Sequence, residues 1–147
     1  MSMDINDVLN KYPGATTFKF GDSKSLSDLL LSLVRQGKKT ATCAALYDFT
    51  EGDEVMPVVG RQDIACEWDD TPALVIQTIA VEHKRFCDVD EEFALLEGEN
   101  DDLQGWRIDH QEYFERNGKF DENMMLVCER FELIEDLKMI NDATEGN

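Results

Sequence analysis

The hexapeptide GKKTAT, residues 37 to 42, sets two ammonium groups and two hydroxyls directly after an amphipathic segment, in a chain that is otherwise strongly acidic. A threonine hydroxyl becomes a nucleophile when a neighbouring group accepts its proton, and a lysine whose pKa is lowered by burial can accept it. In an extended strand Thr40 and Thr42 share one face, whereas Lys39 and Thr42, three apart, point to opposite faces. A turn at Gly37 would bring the Lys39 ammonium and the Thr42 hydroxyl together. The plainer reading of Lys38 and Lys39 is a pair of cations complementing the dipole at a helix C-terminus. A nucleotide-binding phosphate loop is excluded, because the pattern G-x-x-x-x-G-K-[ST] needs a glycine where Ser32 stands and a hydroxyl where Lys39 stands.

A second group surrounds Glu97-Gly98-Glu99, two carboxylates flanking a glycine at the end of an apolar segment. Such pairs are usually solvated helix ends. The following DDLQGWRIDH adds Trp106, Arg107 and His110, side chains suited to stacking on or holding a base, a phosphate or an acyl group. Taken singly, Trp106 and His110 are more simply explained by core packing with one satisfied hydrogen bond. His83, Lys84 and Arg85 read as the solvated end of a strand. Glu97, Glu99 and His110 lack a second ligand pair, so neither a metal nor a cofactor is expected.

The elements that must position these groups follow from periodicity. Ile5, Val8, Leu9 and Tyr12 recur at helical spacing before Pro13-Gly14, and TTFKF alternates as a short strand. From Ser25, with Asp28 as an imperfect capping box, Leu26, Leu29, Leu30, Leu33 and Val34 form one apolar stripe that Gly37 ends. TATCAALYDF reads as a strand, and TEGDEVMPVVG as a turn and an edge strand interrupted by Pro57. DIACEW, the turn DDTP and ALVIQTIAVEHKRF predict a hairpin with a long second arm. Helices are expected over Val89 to Leu96 and Leu103 to Arg116, the second presenting Leu103, Trp106, His110 and Phe114 on one face. NMMLVCERFELI returns to strand, and a polar tail, partly disordered, is expected from about Glu135. This is an α+β pattern, a small curled sheet or barrel flanked by helices.

Charge narrows the function. The chain carries 14 Lys and Arg against 32 Asp and Glu, a net charge of -18. That field repels nucleic acid at long range and disfavours a nonspecific DNA or RNA coat, but leaves room for a small polyanion or a nucleoside in a locally basic cleft. With 147 residues, 42% of them hydrophobic, the chain can bury one core without disulfides or metal. Cys43, Cys66, Cys87 and Cys128 are widely spaced, without C-x-x-C or zinc-type His spacing, and read as reduced core thiols. No basic leader precedes an apolar run, and no apolar run would span a bilayer, so a soluble cytoplasmic protein is expected.

Together these stretches resemble the ASCH domain family, a branch of the PUA-like fold. The matching features are a helix running into G-x-K-x-x-T (Gly37, Lys39, Thr42), a Gly52-Asp53 turn before a Pro-containing strand, FALLEGE, W-x-x-x-H-x-x-x-F (Trp106, His110, Phe114) and a closing VCERFELI strand. The resemblance runs from about Phe18 to Ile134. It implies a single domain over residues 1 to 134, a tail over 135 to 147, and a small β-barrel with a cleft between the Lys-Thr segment and the Glu-bearing helix end. Proteins similar to this one are generally regarded as RNA-binding. One branch of smaller members hydrolyses the N4-acyl amide of acetylated cytidine through a Thr, a Lys and a Glu, and another branch has been described as cleaving RNA. Carried onto this sequence, Thr42 is the nucleophile and Lys39, in its neutral form, is its base and charge stabiliser. Glu97 either orients Lys39 or hands a proton to the leaving amine. Gly37, Glu99, Trp106, Arg107 and His110 complete the substrate site, with Trp106 or Tyr47 to stack on the base. The implied partner is RNA or a modified nucleoside, with neither DNA nor membrane expected. The chain is longer and more acidic than the hydrolase branch, which leaves open a noncatalytic RNA-binding module, a ribonuclease, or an adaptor whose acidic surface meets a basic protein.

Overall fold

The computed structural model describes residues 4–137. Helix α1 (Ile5–Lys11) starts where the Asp4 carboxylate accepts the Asn6 amide hydrogen, and it buries Val8. Strand β1 (Thr16–Phe18) follows, then α2 (Lys24–Arg35). The cap of α2 is Ser23, whose backbone is extended and whose hydroxyl accepts from Leu26 N, so Ser25 lies inside the first turn. The buried face of α2 is centred on Ser27, Leu30, Leu31 and Val34, which leaves Leu29 at the flank, 53% exposed. Strand β2 is Ala41–Ala45, β3 is Gln62–Cys66 and β4 is Pro72–Arg85. Helix α4 (Glu91–Leu96) is capped by Asp90, α5 (Leu103–Asn117) by Asp102, and β5 (Met125–Asp136) closes the fold.

Two expectations need correction. The LYDF end of the predicted strand is a single helical turn, α3 (Tyr47–Thr50). The Pro57 segment forms no strand: residues 51 to 61 are irregular, and the Arg61 guanidinium ties them down by donating to the Val55 and Met56 carbonyls. A proline without an N–H cannot complete a ladder, and Val55, Val58 and Val59 are exposed rather than aligned on a buried face.

The five strands form one curled half-barrel sheet in the order β1-β3-β4-β5-β2. Only β1 and β3 run parallel; β3–β4 is the expected hairpin, and β4–β5 is the long antiparallel seam. Register shifts at Val75/Ile76 and Thr78/Ala80 interrupt that seam, a type of irregularity that bends and twists a sheet. Helix α1 packs with Ile64, Val75 and Leu137, and α2 with Phe20, Leu74 and Phe131. Helices α4 and α5 cover a third cluster of Ala41, Leu126, Cys128, Phe93, Trp106 and Phe114. Strand β5 passes the expected boundary at Ile134: Glu135 accepts hydrogen bonds from Lys11 and Tyr12, and Leu137 is fully buried. The rest of the expected tail, residues 138 to 147, lies outside the described residues.

Candidate functional site

Helix α2 ends in a turn that sets up everything after it. Gly37 has φ +76, with Gly37 N bonded to the Val34 carbonyl and Lys38 N to the Leu33 carbonyl, the Schellman arrangement. Lys38 is left in solvent while Lys39 turns inward to 2% exposure. The Thr40 amide donates to the Leu96 carbonyl at 2.8 Å and its carbonyl accepts from Phe131 N, locking the start of β2 between the end of α4 and β5.

The second positioning device is Gly98. At φ +75 it presses against the chain at Lys38, where a Cβ would collide with the Lys38 carbonyl. Only glycine tolerates both the conformation and the approach. Glu97 and Glu99 are therefore delivered on either side of the Lys39 ammonium, whose Nζ lies 3.2 Å from Glu97 Oε1 and 3.0 Å from Glu99 Oε2. Glu97 Oε2 accepts the Trp106 indole hydrogen at 2.8 Å and lies 3.4 Å from His110 Nε2. His110 Nδ1 is 2.8 Å from the Trp106 carbonyl, and its ring stacks on the indole at 4.2 Å. Both imidazole nitrogens thus face oxygen acceptors, the arrangement of an imidazolium.

The electrostatics follow from these contacts. Burial disfavours charge on Lys39, but the Glu97 and Glu99 carboxylates outweigh it and raise the lysine pKa. Burial likewise opposes charge on Glu97, yet Lys39, His110 and the indole hold it well below the usual carboxylate range. Burial lowers the His110 pKa and Glu97 more than restores it, for a net rise. Lys39 therefore rests as an ammonium, not as the neutral base that the sequence suggests. Glu97 rests as a saturated carboxylate with no proton to give; of its two expected roles, orienting Lys39 is the one its contacts fit.

A cavity of about 220 Å³ opens onto this network, lined among others by Phe20, Lys39, Thr42, Glu97, Glu99 and His110. Lys39 and Thr42, with Glu97 and Glu99, thus share one cavity. His110 joins them, but three other expected substrate residues, Trp106, Arg107 and Gly37, do not. Trp106 has no exposed surface and packs on Phe86; it acts on the site through Glu97. Arg107 is exposed and among the described residues donates to the Cys87 carbonyl, away from the cavity lining, and Gly37 contributes the turn rather than a wall. Tyr47 faces a wider groove of about 860 Å³ beyond the cavity. Phe20, Cys43 and Tyr113 line the cavity without having been anticipated. Phe20 lies two residues past β1, and its ring sits 5.9 Å from the Lys39 ammonium.

Cys43 also forms, with Glu97 and His110, a trio whose ligand atoms lie within 4.8 Å of one another. Burial, with the Glu97 charge, pushes the thiol well up, and the Lys39 ammonium already holds Glu97, so a cation entering there meets a positive neighbour and an unwilling thiol. All four cysteines are free; Cys66 and Cys128 are buried, and Cys43 and Cys87 partly so. Among the described residues no helix is long and apolar enough to cross a membrane.

The curled five-strand half-barrel flanked by helices is an α+β fold of the PUA-like class. The model of the ASCH domain matches residues 16–135, and the chain belongs to that family. Among solved structures it is similar to an ASCH domain from Lactobacillus crispatus JV V101, 30% identical with a TM-score of 0.75 over 86% of this chain and 84% of that one. It is also similar to protein EF3133 from Enterococcus faecalis V583, 29% identical with a TM-score of 0.78 over 93% and 89%. No curated protein matches the chain.

Proposed function

We propose that the cavity binds a modified nucleoside and hydrolyses the N4-acyl amide of acetylated cytidine, with Thr42 as nucleophile. The observation that carries this reading is the buried Lys39 ammonium, fixed by two carboxylates in the wall of a small cavity that Thr42 also lines. Amide hydrolysis needs a nucleophile and a fixed donor for the developing oxyanion. A charged Lys39, held by Glu97 and Glu99, supplies the donor once it gives up its third and longest contact, the Glu97 carbonyl at 3.4 Å. Glu97, held in turn by Trp106 and His110, is a positioning residue.

The family association with RNA is reconciled with the acidic chain by the charge of the lining. The four carboxylates of Glu97, Glu99, Asp109 and Glu112 outnumber the cations Lys39, Arg116 and the His110 imidazolium, and Arg116 is paired with Asp22 at 2.9 Å. Phosphates meet repulsion there, whereas an uncharged base carrying an acyl group does not. The cavity suits the acylated end of the base, and the contiguous groove suits the rest of the nucleoside.

Purified protein, stripped of metal by chelator, is expected to convert N4-acetylcytidine into equimolar cytidine and acetate, followed by liquid chromatography. The rate should barely change with salt. Binding of an RNA oligonucleotide that weakens steeply as salt rises, with no release of acetate, would instead identify a noncatalytic RNA-binding module.

A further inference from the structure

The hydrolase reading leaves one requirement open. A threonine hydroxyl attacks only if its proton has somewhere to go, and neither Lys39, already protonated, nor Glu97, saturated and strongly acidic, is that acceptor. Glu99 faces the Lys39 ammonium through Oε2, whereas the carboxylate paired with Thr42 across the sheet is Glu129.

We infer that Glu129, which faces Thr42 across the β2–β5 ladder, is the proton carrier for this nucleophile; the inference rests on the hydrolase reading above. Thr42 and Glu129 are direct partners in the antiparallel register, so their side chains leave the same face of the sheet with Cβ atoms roughly 5 Å apart. Both line the wide groove, and Thr42 also lines the Lys39 cavity, so the hydroxyl stands where the two spaces meet. Alternation sets the face: Ala41, Ala45 and Cys128 belong to the cluster under α4 and α5, Cys43 packs against that cluster and also reaches the groove, and Thr42, Ala44, Val127 and Glu129 line the groove.

The surroundings of Glu129 differ from those of Glu97. Among the described residues its one hydrogen bond comes from the Thr78 hydroxyl, which donates to Oε2 at 2.6 Å. The cation acting on it, Arg61 on the segment entering β3, is paired with Asp63 at 2.9 Å; Asp63 also accepts from Thr16. The groups facing Glu129 are thus Thr42 from β2, Thr78 from β4, and Arg61 and Asp63 from β3. Burial, aided by the Asp63 charge and opposed by Thr78 and Arg61, raises the Glu129 pKa above the ordinary carboxylate value. A carboxylate so placed both takes and returns a proton more readily than a saturated one.

The step balances. As Thr42 Oγ bonds to the acyl carbon, its proton passes to the Glu129 carboxylate while Lys39 exchanges its 3.4 Å contact with the Glu97 carbonyl for a hydrogen bond to the acyl oxygen. The C–N4 bond then breaks, and N4 takes the proton from Glu129, releasing cytidine and leaving an acyl ester on Thr42. Water attacks that ester, Glu129 accepts the water proton and returns it to Thr42 Oγ, and the carboxylic acid departs.

The test measures N4-acetylcytidine hydrolysis against pH for the wild type, Glu129→Gln and Glu129→Asp, with thermal unfolding of each. The wild type should lose kcat/KM as pH falls through the Glu129 pKa. Glu129→Gln should lower kcat by about 10²- to 10⁴-fold and abolish that acid limb, and Glu129→Asp should restore part of both. An active wild type whose acid limb survives in Glu129→Gln, or activity that falls only as folded protein falls in both variants, overturns the role of Glu129 and leaves the hydrolase reading standing. A wild type that releases no cytidine overturns both.

Discussion

Glu97 and Glu129 are two carboxylates withdrawn from water in the same small domain, and their surroundings move them in opposite directions. Burial raises both. At Glu97 it is overwhelmed by Lys39, His110 and the Trp106 indole, and the group is pinned as an anion. At Glu129 the Thr78 hydroxyl and the Arg61 guanidinium, itself paired with Asp63, do not offset burial and the Asp63 charge, and the group holds its proton more tightly than usual. The first is a fixture whose bonds are all used; the second keeps capacity to exchange a proton. The comparison separates a carboxylate pinned as an anion from one that holds its proton more tightly, and variants at the two places should behave differently.

The largest effect on stability is expected at the fixture. Glu97→Gln leaves the Lys39 ammonium, 1% exposed, without its main counterion and should cost about 3–5 kcal/mol in denaturant unfolding. A loss below about 1 kcal/mol would mean that Glu99 alone suffices to hold the lysine. Next comes Gly98→Ala, which adds a Cβ at φ +75 against the Lys38 carbonyl and should cost about 1–3 kcal/mol. Unchanged stability there would show that the E-G-E segment does not press on the lysine turn.

Smaller effects appear as pH dependence. His110 has a folded pKa raised above its ordinary 6.5, so its contribution is complete below that pH and is lost as pH rises through the folded value. His110→Gln should therefore flatten the alkaline decline of the unfolding midpoint. Glu97 has the opposite sign: its contribution is present above the ordinary 4.5 and is lost as pH falls through its depressed value. The smallest effect belongs to Glu129, where the raised pKa makes the wild type lose stability as pH rises from 4.5 through the folded value. Glu129→Gln should remove that loss, gaining slightly at pH 7 and nothing at pH 4. A destabilised variant at pH 7 would place Glu129 with the fixtures.

Much of the fixture was legible in the sequence. Gly37 marks the turn after α2 and helical spacing in α5 aligns Trp106, His110 and Phe114, while the resemblance to the ASCH family set Lys39, Thr42 and Glu97 in one cleft before any coordinates. What escaped depends on distant partners. Whether Trp106 faces a ligand or the core is decided by Phe86 and by the Glu97 carboxylate. Glu129 looks like any polar residue alternating along VCERFELI; only the β2–β5 register, between segments more than eighty residues apart, sets it opposite Thr42. The loop at Pro57 was misread because Val-rich composition imitates a strand when its side chains have no face to fill. The protonation of Lys39 was hidden for a similar reason, since it depends on the sum of two carboxylates brought in by a separate turn.

The most direct test of the central claim compares wild type with Thr42→Ala, measuring cytidine release from N4-acetylcytidine, calorimetric binding of the same nucleoside, and the unfolding midpoint. The account predicts steady release by the wild type, and for Thr42→Ala a loss of at least about 10³-fold with binding and midpoint retained. Full activity in Thr42→Ala would contradict it, as would a wild type that binds the nucleoside and leaves it intact.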